Sequence, residues 1–417
     1  MAARFVISGG EQLKGEVAIS GAKNAALPIM AATLLADGES ILENVPRLWD
    51  IRTMCFVLRT LGARVEEDGN TVRITPPQTM HYEAPYELVK TMRASVLVLG
   101  PLLARVKKAR VSLPGGCAIG VRPINLHLKG LAKLGASIKI EEGYVDAEVS
   151  RLKGARIYLD TPSVGATENL MMAAALADGT THIENAAKEP EIVDLANFLN
   201  KMGAKIKNAG SGIIEIKGVE NLKGSEHIVV PDRIETGTLM IGCAITGGEI
   251  TFKNARAEHV EALITKLQEM GAEVSFTAET IHMKAKKELR AAEIKTMPHP
   301  GFPTDLQPQM MSLATICKGA SVITEAIFEN RFIHAGELQR MGADIEVKGN
   351  TAFVRGVPML NGASVMASDI RAGAALIIAG LIAMPETKIS RIYHIDRGYE
   401  EIEKKLQLLG AKIKRIQ

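Results

Sequence analysis

Cys117 lies in the run Leu113-Pro114-Gly115-Gly116-Cys117-Ala118-Ile119-Gly120-Val121-Arg122-Pro123, which holds three glycines and two prolines. The two glycines ahead of it let the backbone move or approach a ligand closely. Arg122, five residues on, favours the thiolate. A thiol in this setting fits a reactive group on a mobile lid; a surface turn with an incidental cysteine is the other reading. The glycines lack the strand-loop-helix context of a nucleotide loop. Elsewhere charged residues open apolar stretches: Lys23 precedes residues 25–35, Arg93 precedes 94–103, Asp305 precedes 310–316 and Arg371 precedes 372–382. A helix start is already electropositive, so capping does not call for a cation there. Lys23, Arg93 and Arg371 are therefore read as anion-binding groups, and Asp305 as a functional carboxylate. Thr167 and Glu235, at two further starts, fit capping equally well. Helix starts that share a cleft offer free N–H groups to an anion.

The elements that position these groups repeat. A Gly-Ala pair preceded by Leu or Met occurs at Gly62, Gly135, Gly203, Gly271, Gly342 and Gly410, spaced 73, 68, 68, 71 and 68 residues apart. One supersecondary unit used six times explains so steady a period. In the last repeat, residues 367–383 open with polar residues and then run apolar on all sides, as a buried inner helix requires. Residues 387–391 suit a short strand, and Tyr399 to Leu409 carries Ile402, Leu406 and Leu409 at helical spacing, an amphipathic outer helix. Gly410 then stops it, and an alternating strand follows each Gly-Ala. The unit is roughly βαβαββ, and six of them favour two domains of three.

Composition narrows the function classes. A net charge of +3, without a basic block or interleaved aromatics, gives no sign of nucleic-acid binding. No apolar run is long enough to span a bilayer, and no secretory signal is visible at the start. The four cysteines are scattered without paired or metal-like spacing, which fits a reducing cytoplasm and indicates no metal or organic cofactor. Cys55, in the stripe Ile51, Met54, Cys55, Leu58, Leu61, and Cys243 and Cys317, in apolar inner helices, are expected to be small buried hydrophobes.

Seven motifs in order carry a resemblance. They are residues 20–28 (Ser-Gly-Ala-Lys-Asn-Ala-Ala-Leu-Pro), Lys90 to Ser95, the Cys117 loop, Ser163 to Thr167, Pro231 to Gly237, Phe302 to Asp305 with Phe328 to Phe332, and Tyr393 to Glu400. Over its whole length the chain resembles the bacterial enolpyruvyl transferases that act on UDP-N-acetylglucosamine. The resemblance implies two inside-out α/β barrel domains of three repeats each, residues 22–230 and residues 1–21 with 231–417, with the active site in the cleft between them. It implies transfer of enolpyruvyl from phosphoenolpyruvate to a 3′-hydroxyl through a tetrahedral intermediate, with phosphate released, as the first committed step of peptidoglycan precursor synthesis. Both substrates are small molecules; protein partners are unknown.

By the same resemblance Lys23, Arg122 and Arg397 hold the phosphate, and Arg331 and Arg371 the carboxylate, with Asn24 and Asp369 orienting. Asp305 is the candidate base, although a helix start would weaken its basicity. Cys117 is the implied proton donor and adduct site, open to the epoxide fosfomycin. Asn24, Arg93, Arg122, Pro123, Ile124, Asn125, Leu126, Ser163, Val164, Gly165, Thr304, Asp305 and Ile327 occupy the implied UDP-sugar positions. Asn125 departs from the family pattern, where Asp is commoner. A 5-enolpyruvylshikimate-3-phosphate synthase-like transferase and a catalytically silent UDP-sugar-binding paralogue are the alternatives; Cys117 separates the first, and the full set of Lys23, Cys117, Asp305 and Arg397 opposes the second.

Overall fold

Each repeat is a strand, a buried helix, a strand, an amphipathic helix and a hairpin, and the third shows it without interruption. Arg156–Tyr158 leads into the inner helix Val164–Ala174, then Thr180–Glu184, the outer helix Pro190–Lys201, and the strands Lys205–Lys207 and Ile213–Lys217. Its sheet runs in the order first, second, fourth, third; the first pair is parallel and the others antiparallel. The computed structural model describes residues 3–89, 92–113, 124–286 and 288–417. The described residues form two compact units, one from residues 3–20 and 231–417, the other from 21–113 and 124–230. Six four-stranded sheets of this kind are distributed over them.

The inner helices explain the layering. All fourteen residues of Arg233–Thr246 are buried, and Ile370–Gly380 is buried from Arg371 onward. A helix with no polar face has to be enclosed. In each unit the three inner helices lie within a single apolar core, with the sheets outside them, which is the inside-out α/β barrel. Outer helices bury one stripe only; in Trp49–Thr60 it is Asp50, Ile51, Met54, Cys55, Val57 and Leu58.

The Gly-Ala repeat proves to be a helix-ending device. All six glycines have φ between +90° and +110°. After each, the Ala N–H reaches back to a leucine carbonyl five residues earlier: Leu58, Leu131, Leu199, Leu267, Leu338 and Leu406. This 6→1 bond, with the shorter Gly N–H bond beside it, is the Schellman motif, and the paired Leu and Ala are its usual apolar contact. In five repeats the side chain three residues before the glycine also donates to the new strand, as Gln339 Nε2 does to the Ile345 carbonyl at 2.7 Å. Ala132 takes that place in the second repeat and has nothing to donate.

Two departures from the repeat pattern have local causes. The second and fifth inner helices open as 3-10 turns, Arg93–Val98 before Leu99–Val106 and Thr304–Leu306 before Gln307–Ala314. Pro101 and Pro308 lack the N–H that an α-turn would send back four residues. The last outer helix spans Ile402–Leu408 and starts later than Tyr399 because Glu401 is left-handed, at φ +45°.

Strand order is permuted at the chain start. Lys14–Ala18 is the first strand of the fourth repeat, parallel to Glu249–Lys253. Arg4–Ser8 sits inside the sixth sheet, antiparallel to both Thr387–Ser390 and Lys412–Ile416. In the other unit, Glu226–Ile228 comes late in the chain and supplies the first strand of the first repeat, parallel to Ser40–Glu43.

Candidate active site

Three starts of inner helices in residues 231–417 carry Glu235, Asp305 and Arg371. Asp369 caps the last of these helices, its Oδ1 accepting from the Arg371 N–H at 2.9 Å and the Ala372 N–H at 3.1 Å. That fixes where the Arg371 side chain leaves the helix. Its Nε donates to Asp305 Oδ1 at 2.8 Å, and its guanidinium lies over the Tyr399 ring at 5.5 Å. Arg331 Nη2 approaches the same Asp305 oxygen at 3.6 Å. Both arginines are buried, at 3% and 5% exposure, whereas the Asp305 side chain is 34% exposed.

Burial opposes the charge on Arg371, but Tyr399 and the Asp305 carboxylate outweigh it and raise its pKa. His334, packed below Arg331, is pushed down to about 4 by burial, so it adds no charge at neutral pH. The cluster sets two guanidiniums around the Asp305 carboxylate, with the Asp232 carboxylate also acting on Arg371. Among the described residues Arg331 Nε and Nη2 and Arg371 Nη1 have no hydrogen-bond partner, and buried donors of this kind are exceptions that call for a cause. Paired planar forks are suited to a carboxylate. Arg397 ends the 3-10 turn Ile392–Arg397, half-buried, immediately before Gly398. A Cβ on Gly398 would stand 3.7 Å from Arg371 Nη1, so the Arg397 end of the turn adjoins the Arg371 guanidinium.

Glu325 organises the other side of Asp305. It is buried and accepts from Thr296 Oγ1 at 2.9 Å, Thr304 Oγ1 at 3.0 Å, and the N–H groups of Ile327 at 2.8 Å and Phe328 at 3.2 Å. One carboxylate therefore holds the Thr304-Asp305 turn and the segment carrying Ile327. Glu235 has a different role: it pairs with Lys405 and accepts from the Ser20 N–H at 2.8 Å. Thr167 likewise accepts from the Ala187 N–H at 3.1 Å. Both serve structural bonds.

In residues 21–230, Lys23 is the first residue of the helix Lys23–Ala32, which has no capping side chain. A cation there opposes the helix dipole. Its compensation is Asp50 on the adjoining outer helix, at 2.9 Å, with both side chains under 10% exposed. Asn24 follows, half-buried. Ser163 caps the third inner helix, which opens with Val164 and Gly165; a Cβ on Gly165 would meet the His127 ring at 3.3 Å. His127 contacts Asn169 at 3.0 Å, and Asn169 Oδ1 accepts from the Gly100 N–H at 2.6 Å. Ile124 is buried ahead of the helix Asn125–Lys133, where Asn125 is exposed and Leu126 half-buried.

Glu168, one position beyond Thr167, is 3% exposed, and its Oε1 has no hydrogen-bond partner among the described residues. Burial first, then Glu191 and Glu189, push its carboxyl well above the carboxylate range. Arg93 opens the second inner helix, but its side chain lies outside the described residues, as do Cys117, Arg122 and Pro123. The thiols of Cys55, Cys243 and Cys317 are buried and pushed up to about 12, so all three are inert at neutral pH.

Asp50, Glu325 and Glu168 escaped sequence reasoning. An acid at the start of an outer helix looks like an ordinary favourable dipole contact, and the partners of Glu325 lie 2 to 29 residues away.

Comparison with known proteins agrees with this architecture. The family model for EPSP synthase (3-phosphoshikimate 1-carboxyvinyltransferase) matches residues 7–406. The chain is 59% identical over 413 residues to a UDP-N-acetylglucosamine 1-carboxyvinyltransferase of Geobacter metallireducens, covering 99% of each. It is 57% identical over 418 residues to the enzyme of that name from Thermodesulfovibrio yellowstonii, again with 99% of each covered. The crystal structure of the enolpyruvyl transferase NikO from Streptomyces tendae superposes with a TM-score of 0.90 at 26% identity, over 99% of both chains. An EPSP synthase from Acinetobacter baumannii shares the fold, with a TM-score of 0.78 at 18% identity over the full length of both. Similarity this complete leaves no segment of the repeat array unmatched, and the chain belongs to the EPSP synthase family of enolpyruvyl transferases, on the branch of the UDP-N-acetylglucosamine 1-carboxyvinyltransferases.

Proposed function

We propose that the protein transfers the enolpyruvyl group of phosphoenolpyruvate to the 3′-hydroxyl of UDP-N-acetylglucosamine and releases phosphate, opening peptidoglycan precursor synthesis in the cytoplasm. Near-complete coverage at 59% identity to a relative of that name carries the reading. The buried arginine pair around Asp305 supports it, because Arg331 and Arg371 keep guanidinium donors without a hydrogen-bond partner among the described residues, which a substrate carboxylate could take.

In this reading the sugar oxygen bonds to C2 of phosphoenolpyruvate while a proton reaches C3, giving a tetrahedral intermediate. Loss of a C3 proton and of phosphate restores the double bond. Asp305 faces the hydroxyl and takes or orients its proton. It already accepts from Arg371, and it acts late in the transfer or orients the hydroxyl. Arg331 and Arg371 take the carboxylate, with Asp369 orienting Arg371. Lys23, Arg122 and Arg397 take the phosphate, with Asn24 beside Lys23. Cys117 supplies the thiol near C3, from which proton transfer or a covalent adduct proceeds. Arg93, Ile124 to Leu126, Ser163 to Gly165, Thr304 and Ile327 take the UDP-sugar. The proposed roles draw on side chains of both units.

The test is phosphate release from phosphoenolpyruvate with UDP-N-acetylglucosamine or shikimate 3-phosphate as acceptor. Release with the UDP-sugar alone is expected. Release with shikimate 3-phosphate would overturn the acceptor. Silence with both, from folded protein that binds the UDP-sugar, would favour a non-catalytic binder.

A further inference from the structure

The outer helix Trp49–Thr60 buries one stripe and leaves the opposite face uncovered. Trp49 is 58% exposed and Phe56 54%, two turns apart, with exposed Arg52 between them and exposed Arg59 one turn beyond Phe56. Arg52 lies over the Trp49 ring at 5.5 Å and Arg59 over the Phe56 ring at 5.9 Å. Arg59 is also held by the Val65 carbonyl and by Glu67, at 2.8 and 2.9 Å. The two guanidiniums are thus placed in advance against two aromatic faces. No carboxylate is exposed on this helix; Asp50 is buried toward Lys23. The short helix Tyr86–Val89 lies beside it and adds Tyr86, 50% exposed.

Exposed apolar residues normally stand singly. Among the described residues, none of the other five outer helices exposes two large hydrophobics, and the last exposes only Leu408. Trp, Phe and Arg on one helix face with no Lys or Glu on that helix, and Tyr86 beside them, are the side chains of interface centres rather than of solvated helix faces, although Glu67 pairs with Arg59 and Glu87 stands next to Tyr86. We propose that this face is a docking surface for an acidic segment of a partner protein. Carboxylates of the segment would meet Arg52 and Arg59, and an apolar side chain would lie between Trp49 and Phe56. A second copy of this chain is the poorer occupant, because a two-fold contact through the same helix brings Arg52 and Arg59 against their own copies.

The probe is a phage-displayed library of random dodecapeptides selected on the full-length protein, with the enriched peptides synthesised and titrated against it. The chain has one tryptophan, so its fluorescence reports occupancy at Trp49 directly. Enriched peptides are expected to carry two or more carboxylates around an aliphatic or aromatic residue and to perturb Trp49 emission. They should bind at least tenfold more weakly to Phe56→Ser and to the double variant R52E/R59E, and more weakly as salt is raised. Both variants should keep wild-type circular dichroism and turnover. Selection of neutral or basic peptides, equal binding to the variants, or no enrichment would overturn the proposal. So would a wild-type dimer in sedimentation that Phe56→Ser dissociates, which would give the face to a second copy.

Discussion

Glu168→Gln is expected to remove a pH dependence from the stability of the unit formed by residues 21–230. The wild-type carboxyl has its pKa raised by burial and by Glu191 and Glu189, from an ordinary 4.5. A raised acid binds a proton in the folded state that the unfolded chain has already released, so stability falls as pH rises above 4.5. The slope is about 1.4 kcal/mol per pH unit until the folded carboxyl itself ionises. Below pH 4.5 both states are protonated and the term vanishes. Glutamine keeps the shape and never titrates. Relative to wild type, the variant should therefore gain stability progressively as pH rises above 4.5, at up to about 1.4 kcal/mol per pH unit. Urea unfolding followed by Trp49 fluorescence is the assay, since the chain's one tryptophan lies in the same unit. Parallel stability profiles for wild type and Glu168→Gln above pH 4.5 would show that Glu168 is an ordinary ionised carboxylate and refute the reasoning.

Other outcomes follow from the geometry. Gly203→Ala should cost about 1–2 kcal/mol in urea unfolding, because φ is +109° and no atom lies within 4 Å of the added Cβ, leaving backbone strain alone. Gly100→Ala, whose Cβ would stand 2.3 Å from the Asn169 carbonyl oxygen, should cost more, and a smaller cost would mean that the second and third inner helices separate easily. Asp305→Asn should lower kcat by about 10²–10⁴-fold with little change in KM for the UDP-sugar; an unchanged kcat would leave Asp305 no part in proton transfer. Glu325→Gln should instead raise KM for the UDP-sugar by loosening Ile327, and an effect confined to kcat would contradict that role. Fosfomycin should modify Cys117 and leave Cys55, Cys243 and Cys317 untouched, as mass spectrometry of peptides will show.

What could be foreseen depended on how local its cause was. The Leu-x-x-(Leu or Met)-Gly-Ala ending is legible because a Schellman motif is made within six residues, and it recurs wherever an outer helix must turn into a strand. The inner-helix starts were legible for the same reason: a polar residue before an all-apolar run has few other uses. The assignment of Asp305, Arg331 and Arg371 to one cluster came through the resemblance, because Arg371 is 66 residues from the carboxylate it binds. Periodicity alone could not have found it. The buried acids were hidden by their ordinary look in sequence. Asp50 resembles any first-turn acid, and Glu168 any polar residue near a cap, until burial and neighbours are known. The places of Arg4–Ser8 and Lys14–Ala18 are non-local in the extreme, since strand pairing leaves no mark on the strand's own pattern.

Those two strands also impose an order on biosynthesis. Arg4–Ser8 leaves the ribosome long before its partners Thr387–Ser390 and Lys412–Ile416 are made. At about 5–20 residues per second the segment waits roughly 20–75 s with its hydrogen-bonding edges unfilled. Residues 21–230 hold every strand of their own three sheets and can close while the remainder is still being translated. The nascent protein must therefore carry an open pair of strands past a finished unit and keep them from pairing elsewhere. A chaperone that covers residues 4–18 would act on the step most exposed to error.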